Sequence, residues 1–179
     1  FGNNHILSCD ANKRLRTQRH THLKLAIAKL LRREGIINRL EMHIPVPGNA
    51  AVETLIPDIS IFQNASALRH LDLTIRNIDT NNISRVEEEK SRKYERITEE
   101  NSITFTPLVF TTDGYVGDQT IAFFKQKFFV KQFRRKFYYT VLRSIFQFND
   151  MMYNNYHVRL EGKFNNYCVT NFRGRLENW

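Results

Sequence analysis

Cysteine is nearly absent from this chain: Cys9 and Cys168 are the only two in 179 residues. That is too few for the disulfide framework of a small secreted domain, and it points to a reducing compartment. Glycine (7) and proline (4) are also scarce, which excludes a collagen-like or Gly/Pro-rich low-complexity chain. No run of about 18 apolar residues occurs. The longest aromatic stretch is interrupted by Lys125, Lys127, Lys131 and Arg134, so no membrane-spanning helix is expected. The chain opens on Phe1 rather than Met and has no basic-then-apolar signal segment, so it reads as a piece of something longer.

What is present is 41% hydrophobic and 25% charged residues with a mean hydropathy of −0.48, the composition of a globular protein. The length suits one domain with a core of its own. Lysine and arginine number 27 against 18 aspartates and glutamates, leaving a net charge of +9 and a pI near 9.8. Such an excess favours a polyanionic partner, nucleic acid first. The charge is unevenly spread. Lys13 to Arg39 carries nine basic residues and one acid, Glu34, while Glu87 to Glu100 holds six glutamates. Residues 119–179 carry eleven basic residues against three acids.

Periodicity predicts a helix from Lys13 to Arg33, with Leu23, Ala26, Ile27 and Leu30 on one face and Gly35 as its stop. Ile36 to Ile44 reads as extended. Ile56 to Phe62 and His70 to Ile75 read as a strand hairpin across a turn at Asn64 to Ser66. Arg85 to Ile97 reads as a charged amphipathic helix whose inward stripe is Val86, Lys90, Lys93, Tyr94 and Ile97. Ile103 to Thr111 reads as a third strand closed by Asp113-Gly114, and Thr120 to Arg143 as a Phe-rich helix ending near Asn149. Tyr153 to Trp179 shows no clear period. The order predicts a mixed α/β layer, with a weakly marked boundary near Gly117.

Two acids stand out. Asp58 follows Pro57 at the start of one strand, and Asp72 lies within the next, thirteen residues between them. Asp72 alternates away from Leu71, Leu73 and Ile75, so its carboxylate is excluded from their apolar face, and an acid in mid-strand needs compensation. A divalent cation supplies it, because Mg²⁺ takes oxygen ligands, usually one or two carboxylates with substrate phosphate. Lys90, on the inward stripe, is the lysine that would balance charge during phosphodiester cleavage. The plainer reading makes Asp72 an edge or turn residue, the glutamate run a solvated face, and Lys90 a partner of Glu87.

The set "HILSC" at His5 to Cys9, "RH" at Arg19-His20, Glu41 before a proline, "PD" at Pro57-Asp58, "LDLT" at Leu71 to Thr74 and "EKSRKY" at Glu89 to Tyr94 resembles the restriction-like endonuclease domain of site-specific non-LTR (LINE-type) retrotransposons. The thirteen-residue spacing is most similar to the protist version, and the likeness covers residues 5–118. The resemblance implies the α/β fold of the PD-(D/E)XK superfamily, a mixed sheet flanked by helices, with a basic helical C-terminal extension. It also implies Mg²⁺-dependent nicking of target DNA, with Mn²⁺ as a substitute, exposing a 3′-hydroxyl for the reverse transcriptase of the same polyprotein in the nucleus. Asp58 and Asp72 would bind the metal, with Glu41 joining the shell. Thr74 occupies the usual superfamily lysine position, so Lys90 takes that part, with Lys93 as its reserve and Glu89 assisting the water.

Arg19 and His20 would contact phosphate, with packing as the rival role for His20, and Lys93 and Tyr94 are carried over as DNA-facing residues. "HILSC" looks like half of a CCHC zinc knuckle, leaving residues 1–12 as its remnant, 13–118 as the nuclease core and 119–179 as the extension. Two of four ligands do not make a closed zinc site. Beyond the likeness, "FKQKFFVKQFRRKFYY" mixes rings with Lys131, Arg134 and Arg135, so rings are expected to bury and charges to bind DNA. Rival functions are a noncatalytic nucleic-acid or partner-binding module and a structure-selective nuclease related to Holliday-junction resolvases. Whether two copies act together is left open.

Overall fold

The computed structural model describes residues 3–45, 54–63, 66–77, 82–101, 103–126 and 131–157. A short helix, α1 (Asn3–Ser8), and a single 3₁₀ turn (Asp10–Asn12) lead into α2 (Lys13–Arg33). The stop expected at Gly35 takes the form of a Schellman motif. Gly35 adopts φ 76°, its N–H donates to Arg32 O (3.0 Å), and the Ile36 N–H donates to Leu31 O (3.0 Å).

The chain continues through β1 (Asn38–Leu40), β2 (Ile44–Pro45), β3 (Thr54–Leu55), β4 (Ile59–Gln63) and β5 (Ser66–Arg76). It then runs through α3 (Ile83–Asn101), β6 (Thr104–Thr111), α4 (Asp118–Phe124) and α5 (Lys131–His157). One four-stranded mixed sheet has the order β1-β4-β5-β6, and β2 and β3 form a separate two-stranded ribbon. β1, β4 and β5 are antiparallel neighbours, whereas β6 runs parallel to β5. A parallel neighbour needs a crossover, and α3 provides it.

The sheet has two different faces because side chains alternate along each strand. Leu71, Leu73, Leu108 and Phe110 share a core with Leu23, Ile27 and Leu31 of α2 and Phe133, Phe137, Val141 and Ile145 of α5. Each fully buried aliphatic or aromatic side chain contributes about 1.5–3 kcal/mol relative to exposure. The opposite face meets α3: Ile83 and Val86 pack on Val109, and the Tyr94 ring stacks on Phe105 with centroids 4.1 Å apart.

Two expectations change. The Phe-rich helix predicted as one piece from Thr120 is two helices, α4 and α5, folded back on each other. In a continuous helix Phe124 and Phe137 would stand about 20 Å apart along the axis, but their rings stack with centroids at 3.6 Å. α4 and α5 are therefore built into the main core instead of being appended to it. The N-terminal segment is likewise docked, since Asn12 Nδ2 donates to Ile6 O (3.0 Å) and Met152 O (3.3 Å), and Leu7 packs with Phe148 and Met152. The His5 side chain, Phe128, Cys168 and the whole of 158–179 lie outside the described residues.

Candidate functional site

β4 and β5 pair Ile59 with Leu71, so one antiparallel step further places Asp58 across from Asp72. Asp58 occupies the bend that enters β4, the consequence of Pro57 before it. Its Oδ2 accepts the Leu73 backbone N–H at 2.7 Å and the His20 Nε2–H at 3.2 Å. The same His20 Nε2–H points at Leu73 O (3.1 Å). Two acceptors about one ring nitrogen fix the proton on Nε2. His20 thus belongs to the carboxylate group and is not a free phosphate contact. Its hydrogen bond to Asp58 holds its pKa above the ordinary histidine value, against the opposing effect of burial.

Four residues along α2, one turn on from His20, Lys24 is buried among acids. It forms an ion pair with Glu41 and lies 3.4 Å from Asp58 Oδ1. Burial pulls the Lys24 ammonium toward neutrality, but Glu41 and Asp58 outweigh it and hold the pKa above the ordinary lysine value. For Asp58, burial works to raise the carboxyl, but the His20 and Leu73 hydrogen bonds and the Lys24 charge keep it below the usual carboxylate range. Glu41 adopts a left-handed φ of 50°, uncommon for a residue with a Cβ, and its N–H donates to Asp58 O (3.2 Å). Glu41 is therefore tied to Asp58 through its own backbone and through Lys24.

Asp72 faces α3. Its Oδ1 accepts the Tyr94 hydroxyl at 2.9 Å, and that hydroxyl also lies 3.3 Å from Ile56 O. Lys90 Nζ lies 2.7 Å from Asp72 Oδ2. At that distance the ammonium and the carboxylate form a largely buried, charge-assisted pair. Lys90 therefore pairs with Asp72 and not with Glu87. Burial first, then the Asp72 charge, push the Tyr94 phenol well above its ordinary range, so it stays a hydrogen-bond donor.

Several expected roles are corrected. Arg19, expected on phosphate, is only 2% exposed. Its guanidinium donates to Asn149 Oδ1 (2.6 Å), and burial together with the neighbouring Arg16 charge lowers its pKa to about 10. It fastens α2 to α5. Tyr94, expected to face DNA, is completely buried. Lys93 is exposed on α3, its ammonium 5.4 Å from the Tyr94 ring, and so leaves the inward stripe. Glu89, one residue before Lys90 and about 100° around the helix, is exposed and is not brought to Asp72. Lys131 and Arg135 are exposed and Arg134 half-buried on α5.

The sequence reading missed Lys24, although its spacing from His20 sets both on one helical face. It also missed Glu87, the buried member of the glutamate run, which accepts the Gln119 N–H (3.0 Å) at the start of α4. A buried Ser60–His70 pair, with Oγ to Nδ1 at 2.8 Å, escaped notice as well. No family model matches this chain, and no curated protein matches it.

Proposed function

We propose that this chain is a divalent-metal-dependent DNA endonuclease of the restriction-like type. On this reading it nicks one strand to leave a 3′-hydroxyl that primes reverse transcription by another part of the same polyprotein. One observation carries the reading: Asp58 stands at the entry to β4, one step beyond the Ile59–Leu71 pair and held from α2, and Asp72 stands on β5 with the Lys90 ammonium of α3 2.7 Å away. A mixed sheet between helical layers agrees with the fold that the motif resemblance implies.

The donor set fits a hard cation. Both groups are carboxylates, the donors a hard cation takes; Asp58 is kept ionised by its neighbours, and Asp72 lies beside the Lys90 ammonium. Asp58 and Asp72 are the residues that would hold Mg²⁺; Glu41 is paired with Lys24 instead, and no group of three or more His, Cys, Asp or Glu side chains is gathered for a metal among the described residues. Bound there, Mg²⁺ supplies Lewis acidity to a phosphate and lowers the pKa of water. The protein's own part is to aim the carboxylates. The Leu73 N–H and His20 Nε2–H fix Asp58, and the Tyr94 hydroxyl fixes Asp72. Lys90 stands ready to neutralise charge gathering on a phosphate beside Asp72.

Asp58→Ala and Asp72→Ala are each expected to lower Mg²⁺-dependent nicking of supercoiled plasmid by at least about 10²-fold, with duplex binding nearly unchanged. Undiminished nicking in both variants would refute the assignment. One observation favours a noncatalytic nucleic-acid-binding module instead: each aspartate already has a lysine beside it, Lys24 for Asp58 and Lys90 for Asp72, so both charges are balanced without a metal. Plasmid left equally intact with Mg²⁺ and with a chelator would select that second reading.

A further inference from the structure

α2 and α5 lie antiparallel on the sheet. Asn12 near the start of α2 bonds Met152 O and Asn155 near the end of α5. Arg19 then meets Asn149, and His22 Nδ1 lies 3.2 Å from Ser144 Oγ. Carried on, this register lays the C-terminal half of α2 beside the N-terminal half of α5, and the shared packing of Ile27, Leu30 and Leu31 with Phe133 and Phe137 agrees.

Both of these half-helices turn cations outward. On α2 they are Lys29, Arg32 and Arg33. On α5 they are Lys131, Arg135 and Lys136, with Arg143 two turns further on; all are exposed. None has a salt bridge among the described residues, and Glu34 is the one acid that interrupts the two runs. Like charges gathered on one surface repel each other, and among the described residues no ion pair offsets them. Packed helix axes stand about 8–10 Å apart, so the cations form two roughly parallel rows. That arrangement complements two rows of phosphates bordering a duplex groove about 6–12 Å wide.

We propose that the outer face of the α2–α5 layer is a docking surface for duplex DNA, reading its phosphate backbone without regard to sequence. This goes beyond the endonuclease reading, and the surface stands on its own charges whether or not DNA is cut. His20 and Lys24 point from α2 toward Asp58 on the sheet side, whereas Lys29 and Arg33 stand about 140° and 180° around the helix from Lys24, with Arg32 on the flank at about 80°.

The test is fluorescence anisotropy of a short labelled duplex against the whole chain over a series of salt concentrations. Each phosphate contact contributes about 0.9 to the slope of log K against log salt. The variant carrying Arg32→Gln, Arg33→Gln, Arg135→Gln and Lys136→Gln is therefore expected to lose about 3–4 from that slope. The α2 pair alone and the α5 pair alone should each lose about half of that, while Glu95→Gln, exposed on α3 across the sheet, keeps the wild-type slope. Because all four positions are exposed, the variants should melt with the wild-type protein, and that measurement guards against misfolding. An unchanged slope in the quadruple variant overturns the proposal, as does tighter binding of a single strand of equal length. Nicking activity is not part of the readout, so loss of the endonuclease reading and loss of this surface are seen separately.

Discussion

The Lys90–Asp72 pair is where one residue matters most to its surroundings. The two side chains are 20% and 9% exposed, so removing the ammonium leaves a largely buried carboxylate uncompensated. Lys90→Met should destabilise the protein by about 2–4 kcal/mol, read as a lowered urea midpoint, and adding Asp72→Asn should recover part of the loss. A Lys90→Met chain as stable as wild type would mean that the ammonium does not neutralise Asp72. Tyr94→Phe removes a single donor and retains the ring on Phe105, so a smaller cost of about 1–3 kcal/mol is expected from the same measurement. Residue identity was readable at this scale, and residue partnership was not. Asp58, Asp72 and Lys90 could be picked from spacing and alternation. That Lys24 joins them depends on where α2 crosses the start of β4, which no local pattern encodes.

At the scale of elements, the join between α3 and α4 is unusually tight. A Cβ on Gly117 would lie 2.1 Å from Glu87 Oε1 and 2.8 Å from Cδ, and Glu87 uses that oxygen to accept the first turn of α4. A carboxylate at a helix N-terminus is favourable through the unpaired N–H groups there, though burial raises the Glu87 carboxyl pKa despite those donors. Gly117→Ala must push Glu87 aside and is expected to cost about 1–3 kcal/mol. In a Glu87→Ala background the cost should shrink, since the obstructing atoms are gone. A double-mutant cycle by urea unfolding checks this, and equal costs in both backgrounds would sink it. The helix from Lys13 to Arg33 and the strand ending at Thr111 were legible because apolar spacing and Gly35 mark them locally. The break between α4 and α5 was not, because continuous aromatic-basic patterning suits one long helix as well as two that fold together.

For the whole molecule, the shared core makes a firm statement about cooperativity. Phe137 is fully buried between α2, the sheet and α4, so Phe137→Ala should cost about 3–5 kcal/mol and shift one common unfolding transition. Two separate transitions would show that α5 folds as an appendage. Stability should also depend on pH with mixed sign. Burial lowers the His70 pKa, so its contribution is present above the unfolded value of 6.5 and is lost as pH falls below it. Asp58, held low by His20, Leu73 and Lys24 against burial, contributes above 3.8 and loses this as pH falls through its folded value. His20, raised by Asp58, contributes fully below 6.5 and loses its share as pH rises through its folded value. His70→Leu should therefore flatten the fall in urea midpoint just below pH 6.5, and an unaltered profile would exclude His70 as its source.

Composition and local pattern determined by themselves that the chain is a basic mixed α/β domain, and they singled out the two aspartates and their lysine. Those features depend on charge, side-chain period and turn chemistry within a few residues, and each can be read off the linear order. Tertiary packing alone decided that Arg19 and Tyr94 turn inward, that Lys24 and Glu41 close around Asp58, and that the basic halves of α2 and α5 lie side by side. Contacts between residues up to 143 positions apart depend on how the layers stack around one core, and that stacking is a property of all the buried surfaces together.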